Sequence, residues 1–355
     1  MIDEISLLGF KSFPKEKIKT KNLTLFSGVN NSGKSSIIQA VRMYERAHKG
    51  VSPLLEGHGQ VSELRSKFSS PSVNIEIELF FDGKGDAMRL SDQGVSAPSH
   101  SPVIFYIGAD RLGPQTSLPL NRSLDFHPII GERGEFVLDL IWKLNDAIIP
   151  ELLIHENSQG STLEYVLAGW LGEIAPGVEF SFKTTPKADL AHAEIDNVRP
   201  KNTGFGISYT LPIIAAILGM ASIAPSQGWS NSWGEQWERN KREKGALILL
   251  ENPEAHLHPQ GQTAMGRLIA FAASCGVQVF VESHSDHLMD GIRIAVKEGV
   301  IHSDAVAFHF LSKSVEGISQ VESPSLHSSG KLDYWPKGFF DQTLRNRAVL
   351  AKKGN

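Results

Sequence analysis

The sequence has a single cysteine, no long apolar run and no leading cluster of basic residues. Cys275 has no second cysteine to pair with, which excludes an intramolecular disulfide and fits a reducing compartment. The longest apolar stretch, Tyr209 to Ala224, contains Pro212 and Gly219 and falls short of the ~20 residues of a membrane span, so it is predicted to be a buried helix. The chain begins MIDEISLLGF, with acids where a signal peptide needs positive charge. We therefore expect a cytoplasmic protein with no membrane partner.

The charge balance excludes a strongly basic chain. Lysine and arginine number 35 and aspartate and glutamate 39, which gives a formal net charge of −4. No basic excess indicates a nucleic-acid partner, but a local basic face leaves DNA or RNA possible. Of the 355 residues, 41% are hydrophobic and 21% are charged. This composition is ordinary for a globular protein, and the length favours two lobes over one compact unit.

Apolar segments of strand length alternate with helix-spaced segments, which predicts an α/β core. Lys15–Thr20 is predicted to be a charged turn, and residues 82–102, rich in Gly, Ser and Asp, a surface excursion. A largely helical region near 121–244 is predicted to be inserted into the core. The predicted parts are therefore 1–120, 121–244 and 245–355. Strands are predicted at residues 2–9, 23–27, 73–81, 103–107, 178–183, 193–198, 247–250, 277–281, 306–311 and 318–321.

The clearest motif lies between the short apolar strand Leu23–Ser27 and a helix-spaced segment that begins at Ser35. Residues 28–35, GVNNSGKS, match G-x-x-x-x-G-K-[ST] in full. The two glycines let the backbone wrap so that successive N–H groups face phosphates, and the helix adds the positive end of its dipole. Lys34 is predicted to reach the β- and γ-phosphates of ATP, and the Ser35 hydroxyl to ligate Mg²⁺.

Acidic residues follow the apolar strand at 246–250, where the chain continues Glu251-Asn252-Pro253-Glu254. A P-loop ATPase needs a carboxylate for its Mg²⁺ on the strand next to the P-loop, and a group nearby that orients water. Glu251 is predicted to be the magnesium acid and Glu254 the water activator. The alternative is a surface acid pair that caps a turn at Pro253.

Two further segments are candidates for phosphate contacts. His284 follows the apolar residues 279–281, and neighbouring strand tips meet at one edge of a parallel sheet, so His284 is predicted to reach the γ-phosphate. A structural turn histidine is the alternative. The glycine-rich stretch NTGFGIS at 202–208 opens a long apolar helix, and its amides could bind phosphate. Because the chain already has a P-loop, this second loop suggests a partner subunit, although such a loop is often only a helix cap.

Histidine and tryptophan supply two weaker signals. His256 and His258 lack HExxH spacing and a cysteine at ligand spacing, so they are predicted to pack in a turn and not to bind zinc. Trp229, Trp233 and Trp237 recur at every fourth residue of a polar segment. Helical spacing would place them on one face, which predicts either a partner surface or packing back onto the lobe.

In this order, the segments resemble the ATPase heads of the ABC, SMC and OLD type. They resemble more closely a bacterial family of short ABC-like AAA ATPases with a C-terminal domain of unknown function, often found beside anti-phage or nuclease genes. The segments that carry the resemblance are GFKSF at 9–13, GVNNSGKSS at 28–36, YIGADRLGP at 106–114, NTGFGISYTLP at 202–212, LILLENPEAHLHPQGQ at 247–262, VESHSDHL at 281–288 and DYWPKGFFDQ at 333–342.

The resemblance implies an ABC-type P-loop NTPase head, α/β in class with an inserted helical lobe, that uses ATP and Mg²⁺. The loop at 204–208 is similar to the signature motif that contacts ATP across a head-to-tail dimer, which implies a homodimer held through ATP. His284 is similar to the switch histidine, and Gln60 is a Q-loop candidate for the metal beside Ser35 and Glu251. The implied nucleotide-binding residues are Gly28, Asn30, Asn31, Ser32, Gly33, Lys34, Ser35, Ser36, Gly204, Gly206 and Ser208.

The sequence also departs from that pattern. The usual Walker B strand ends in Asp-Glu, whereas this one ends in Glu251-Asn252, so hydrolysis depends on a substitute such as Glu254. No long coiled coil interrupts the head, and we expect no acid-rich nuclease domain after it. Three functions stay open. They are an ATP-hydrolysing motor or sensor subunit of a DNA-related or anti-phage defence system, a slowly hydrolysing clamp that controls a separate nuclease or toxin, and a nuclease itself. A nuclease is the least favoured of the three, because the sequence shows no obvious two-metal carboxylate cluster outside the ATP site.

Overall fold

The computed structural model describes residues 1–122, 127–202, 205–230, 232–340, 346–347 and 349–351. Strands alternate with helices along the described chain, which confirms the predicted α/β class. The strands are β1 (Ile2–Phe10), β2 (Phe13–Lys19), β3 (Leu23–Gly28), β4 (Ile75–Phe81), β5 (Lys84–Ser91), β6 (Gly94–Ser96), β7 (Val103–Ile107), β8 (Ser117–Pro119), β9 (Phe180–Thr185), β10 (Leu190–Ile195), β11 (Ala246–Glu251), β12 (Gln278–Glu282), β13 (Val306–Lys313) and β14 (Ser319–Glu322). The α-helices are α1 (Lys34–His48), α2 (Val61–Leu64), α3 (Val137–Lys143), α4 (Leu163–Ile174), α5 (Phe205–Ala221), α6 (Ser232–Lys244), α7 (Pro259–Ser274) and α8 (Asp286–Lys297).

The chain divides into two compact units, each made from segments distant in sequence. The P-loop unit comprises residues 2–101, 282–286 and the described part of 302–355. The helical unit comprises Met1 and residues 102–281 and 287–301. The division at 120/121 and 244/245 that the sequence suggests stays a prediction.

An antiparallel sheet in the P-loop unit has the strand order β2-β1-β4-β5-β6. The predicted turn at 15–20 is wrong, because β2 pairs with β1 along its length and buries Phe13 and Ile18 while its lysines face outward. The predicted surface excursion is also wrong in part, because β5 pairs with β4 and buries Met88 and Leu90. Both segments carry many charges, but pairing satisfies their backbone groups, and the two apolar side chains that each strand buries anchor it.

The strand that leads into the P-loop motif lies beside the C-terminal strands. β3 runs parallel to β13, with Leu25 opposite Phe308, and β14 pairs antiparallel with β13. Leu25 and Phe26 are fully buried, and each such side chain contributes roughly 1.5–3 kcal/mol of hydrophobic free energy. The predicted strands at 306–311 and 318–321 are therefore confirmed, and β3 is firmly anchored just before the loop.

In the helical unit, the strands lie in the order β12-β11-β7, and β11 runs parallel to β7. The helix α5 packs against α3, α4 and β11, and Ile213–Leu218 is buried on every side, which confirms the predicted buried helix. A small sheet with the order β8-β10-β9 lies in the same unit. Within the described ranges, no helix combines the length and apolarity that crossing a membrane requires.

The three tryptophans do not share one surface. Trp237 is only 3% exposed and stacks on Phe105 with ring centroids 5.5 Å apart. Trp229 and Trp233 are half-buried, lie 5.6 Å apart, and the Trp229 Nε1–H donates to Glu238 at 2.8 Å. A partner surface that includes Trp237 is therefore wrong. For the other two tryptophans it stays a prediction.

The strand β13 carries a buried histidine in the P-loop unit. His309 Nε2 lies 2.8 Å from the Lys19 carbonyl, which can only accept, so Nε2 holds the proton of the neutral ring. Nδ1 lies 2.8 Å from the Ser323 hydroxyl and accepts from it. Burial lowers the pKa of His309 to about 4, against the opposing effect of the Lys19 hydrogen bond.

We expect this histidine to make the P-loop unit sensitive to acid. The neutral ring is favoured in the folded state, so its contribution to stability is complete above the unfolded pKa of about 6.5 and is lost as the pH falls through 4. The loss amounts to about 3 kcal/mol by pH 4, since one pH unit corresponds to about 1.4 kcal/mol. Urea unfolding of His309→Gln between pH 4 and 7 should show a flatter pH dependence than the wild type. The exposed control His327→Gln should keep the wild-type slope, and equal slopes in all three proteins would contradict the expectation.

Candidate nucleotide site

The P-loop motif connects β3 directly to α1, as the sequence predicts. Gly28 has φ +141° and Gly33 has φ +106°, conformations that residues with a Cβ rarely adopt. A Cβ on Gly28 would lie 2.0 Å from the Leu311 carbonyl oxygen, and one on Gly33 would lie 2.7 Å from the Phe13 ring. Both glycines of the motif are therefore required by close packing as well as by backbone conformation.

Lys34, at the first position of α1, is only 4% exposed and is held inside the loop. Its Nζ donates to the carbonyls of Gly28 at 3.1 Å and Val29 at 3.0 Å. Burial lowers the pKa of Lys34, and the nearby carboxylate of Glu282 opposes that shift. The ammonium group is thus held by backbone carbonyls at the start of the loop.

An acid that the sequence analysis did not assign lies next to the P-loop serine. The Ser35 hydroxyl donates to Glu282 Oε1 at 2.9 Å, and Glu282 is only 5% exposed. The Ser283 N–H donates to the Phe26 carbonyl at 3.1 Å, which fixes the end of β12 beside β3. The signal was present, because Glu282 is the acid that ends the apolar run 279–281 just before His284.

A cavity of about 810 Å³ opens over the P-loop, a volume typical of small-molecule sites. It brings together most of the predicted nucleotide-binding residues with basic side chains that the sequence analysis missed. The cations Lys11, Lys67, Lys313 and Arg65 outnumber the acids Glu63 and Glu282, which suits an anionic ligand. The lining comprises Lys11, Ser12, Asn30, Asn31, Ser32, Gly33, Lys34, Ser35, Ser36, Gln39, Ser62, Glu63, Arg65, Lys67, Phe68, Glu282, His284, Lys313 and Gly317.

Two other predicted residues of the P-loop unit differ in their placement. His284 lines the cavity and stays accessible to solvent, and its pKa is lowered by partial desolvation of the ring and by the positive charge of Lys34. Gln60 lies outside the lining, just before α2, and its backbone N–H donates to Glu63 at 3.0 Å. Contact of His284 with a γ-phosphate and binding of metal by Gln60 both stay predictions.

The acidic strand end lies in the helical unit, where a buried arginine holds it. Arg111 is 1% exposed and donates to the carbonyls of Glu251 and Asn252, each at 2.7 Å, and to that of Gly108 at 2.9 Å. Burial lowers the pKa of Arg111, and the carboxylates of Glu254 and Glu251 oppose that shift. Arg111 belongs to the segment YIGADRLGP at 106–114, so in this chain that segment supports the backbone of the acidic turn.

The position of the acidic strand differs from the expectation. In the helical unit, β11 has β12 and β7 as its neighbours. A strand has two neighbours in a sheet, so the predicted placement of Glu251 on the strand next to β3 is wrong. Asn252 has φ +47° and turns the chain away after the strand, in a conformation that asparagine tolerates better than most residues.

The signature-like loop is only partly described. Gly204 lies outside the described residues, whereas Gly206 and Ser208 occupy the first turn of α5. A Cβ on Gly206 would lie 3.0 Å from the His256 carbonyl oxygen, and the His256 ring packs on Tyr209 at 4.5 Å. His256 therefore packs in a turn, as predicted. No cluster of three or more metal-ligating side chains occurs among the described residues.

Two family models match this chain. The model described as AAA ATPase domain matches residues 1–82 and 153–289, more than half of the chain. A second, described as a protein of unknown function (DUF3696), matches residues 301–350. No curated protein matches the chain. The predicted ATPase type and the C-terminal domain of unknown function are thereby confirmed.

Solved structures of SMC heads are similar along almost the whole chain. The head with an extended coiled coil bound to the C-terminal domain of ScpA, from Pyrococcus furiosus, has a TM-score of 0.56 at 15% identity and covers 99% of this chain and 100% of that chain. The SMC head bound to the C-winged helix domain of ScpA has a TM-score of 0.55 at 17% identity, covering 92% and 98%. The head with a coiled coil and joint from Pyrococcus yayanosii has a TM-score of 0.53 at 11% identity, covering 98% and 99%. At these identities the likeness shows the fold, which is that of an ABC-type ATPase head.

Proposed function

Because the chain belongs to the AAA ATPase domain family, we propose that it binds ATP with Mg²⁺ and hydrolyses it, as the motor or sensor subunit of a DNA-related or anti-phage defence system. The observation that carries the proposal is the P-loop of the cationic cavity, with the buried Lys34 inside the loop and Ser35 bonded to Glu282. A phosphate chain is the ligand that such a loop, with its amides and lysine, suits best.

The oxygen donors at the start of α1 fit magnesium. Ser35 Oγ and Glu282 Oε1 lie 2.9 Å apart, and hydroxyl and carboxylate oxygens are the ligands that Mg²⁺ prefers. We assign Ser35 and Glu282 to the metal shell, whereas metal binding by Glu251 and by Gln60 stays a prediction from the sequence. Bound there, Mg²⁺ would neutralise charge on the phosphate oxygens.

Three side chains would bind the phosphates and activate the attacking water. Lys34 binds the β- and γ-phosphates and neutralises charge that develops during transfer. His284, whose lowered pKa favours the neutral ring at pH 7, hydrogen-bonds the γ-phosphate or the attacking water. Glu254, with Glu251 as the alternative, orients that water and accepts its proton.

We expect ATP to hold two copies of the chain together head to tail. The first turn of α5 would contact the γ-phosphate bound by the P-loop of the second copy, so the contact exists only in the dimer. Light scattering in a Glu254→Gln background should show monomers or loose dimers without nucleotide and a tighter dimer with ATP. Ser208→Glu and Gly206→Glu should prevent that dimer by placing a carboxylate against the phosphate.

Of the two substitutions, Gly206→Glu also disturbs local packing. A side chain on Gly206 would also press on the His256 carbonyl, so Ser208→Glu is the cleaner test. Ser232→Glu places the same charge at an exposed serine of α6 and should leave dimerisation unchanged. If association is the same with ATP, with ADP and without nucleotide, and Ser208→Glu has no effect, the sandwich mechanism is wrong for this protein.

Asn252 favours a second candidate function, a slowly hydrolysing clamp or scaffold that controls a separate nuclease or toxin. An amide cannot take a proton from water as a carboxylate does, and Asn252 stands where related heads carry the catalytic glutamate. Single-turnover hydrolysis compared with nucleotide release distinguishes the two functions, because a clamp would retain intact ATP. Co-purification from the native host with ATP present would identify the effector and any bound DNA or RNA.

A further inference from the structure

The C-terminal segment contacts the start of the P-loop through β13. The Val29 N–H donates to the Leu311 carbonyl at 3.3 Å, and the same carbonyl occupies the space that a Cβ on Gly28 would need. Leu311 belongs to the segment 301–350, whose matching family has no assigned function. The first residues of the P-loop thus contact this segment directly.

The end of the P-loop is held by β14. The Ser319 hydroxyl donates to the Ser32 carbonyl at 2.6 Å, and Ser319 is only 3% exposed. The Ser12 hydroxyl lies 2.7 Å from Ser319 Oγ, and the Ser319 N–H donates to the Ser12 carbonyl at 2.9 Å. Because Ser319 has one hydroxyl proton and gives it to Ser32, Ser12 must be the donor in the hydroxyl pair. The three serines form a relay that ends on the loop.

This relay bears on the amide that would face phosphate. A peptide unit is planar and trans, so its C=O and N–H point in opposite directions. Holding the Ser32 carbonyl against Ser319 therefore turns the Gly33 N–H to the opposite side. Gly33 lines the cavity, and so do Lys313 and Gly317 of the same hairpin. Ser319 itself is not among the residues that line the cavity, so it acts on the loop through the Ser32 carbonyl.

We infer that the hairpin β13–β14 is a working part of the nucleotide site and that Ser319 is a positioning residue that orients the Gly33 amide toward the phosphates. The inference rests on the proposed binding of ATP. The hairpin lies in the segment 301–350, which matches the family of unknown function. The inference gives this segment a role: it holds the P-loop in the conformation that binds nucleotide.

The test compares Ser319→Ala with the wild type in the full chain, using ATP and Mg²⁺ as the probe. We expect the Kd for ATP to rise roughly tenfold, because the Ser32 carbonyl loses a buried hydrogen bond and the Gly33 amide loses its fixed direction. At saturating ATP, kcat should stay within about twofold of the wild type, since Ser319 does not contact the reacting atoms. Calorimetry measures the affinity and phosphate release the turnover.

Two further variants separate positioning from general loss of structure. Ser323→Ala also removes a hydroxyl with a hydrogen bond, the one to His309, directly after β14, and should leave the Kd for ATP unchanged. Ser12→Ala should raise the Kd less than Ser319→Ala does. The double variant should be no worse than Ser319→Ala alone, because both act through one relay.

The outcomes are distinct for the two ideas. If the wild type binds ATP and Ser319→Ala binds it as tightly, or loses no more affinity than Ser323→Ala, the inference fails while the proposed function stands. A fall in kcat without a change in affinity also overturns it. If the wild type itself binds no ATP, the proposed function fails and the inference fails with it.

Discussion

Replacing Lys34 with alanine is expected to lower ATP turnover by roughly 10²–10³-fold or more, while the fold stays intact. The ammonium group is the cation inside the loop, and no other side chain of α1 can replace its charge at the β- and γ-phosphates. Its present partners are the carbonyls of Gly28 and Val29, and Val29 is half-exposed, so water can replace the ammonium group there. Phosphate release and calorimetry with ATP measure the loss.

A matched control lies at the other end of the same helix. Lys49 follows α1, is exposed and pairs with Glu45 at 2.5 Å, a surface interaction that contributes little. Lys49→Ala should therefore keep wild-type turnover and affinity. If Lys34→Ala binds and hydrolyses ATP as Lys49→Ala does, the loop is not a nucleotide site and the proposed function is wrong.

For Glu254→Gln we expect kcat to fall by roughly 10²–10³-fold with little change in ATP affinity. A group that orients water and accepts its proton matters only as charge develops in the transition state, so binding of the ground state should survive. The glutamine keeps the size of the side chain, and Arg111 retains its bonds to the carbonyls of Glu251 and Asn252. Single-turnover hydrolysis separates the chemical step from binding.

The other carboxylates provide the comparison. Glu282→Gln should raise the Mg²⁺ concentration needed for half-maximal turnover, because it removes the carboxylate that lies beside Ser35 and is assigned to the metal shell. Glu243→Gln changes an exposed acid of α6 and should have no effect. Full turnover in Glu254→Gln combined with loss in Glu251→Gln would transfer the water-activating role to Glu251.

Motifs whose chemistry depends on neighbours in sequence were predictable. The eight residues from Gly28 to Ser35 form the end of a strand, a tight loop and the start of a helix, because glycine conformation and the following helix are local properties. The apolar helix α5 was likewise predictable, because a helix with apolar residues on every face has no polar side to turn to solvent and is buried. The strands β2 and β5 were missed because each buries only two large apolar side chains among many charged residues.

The partners of the loop were not predictable in the same way. Ser319 and Ser32 lie 287 positions apart, and Ser35 and Glu282 lie 247 apart, so no local pattern joins them. The sequence marks Arg111 only as part of a family-like segment, and its bonds to the acidic turn depend on the pairing of β7 with β11. Serine, glutamate and arginine are common on protein surfaces. Burial in the folded chain is therefore what identifies Ser319, Glu282 and Arg111 as special.

The sequence by itself determined that this chain has an α/β core with a P-loop. The spacing of apolar residues, the placement of glycines and the lysine of the motif are all patterns that span only a few residues. Only the tertiary structure decided which acid faces Ser35, which strands flank β11, and that the C-terminal hairpin supports the P-loop. Those choices depend on strand order and on hydrogen bonds between segments hundreds of residues apart. Strand order is set by the packing of the whole core, which no single segment encodes.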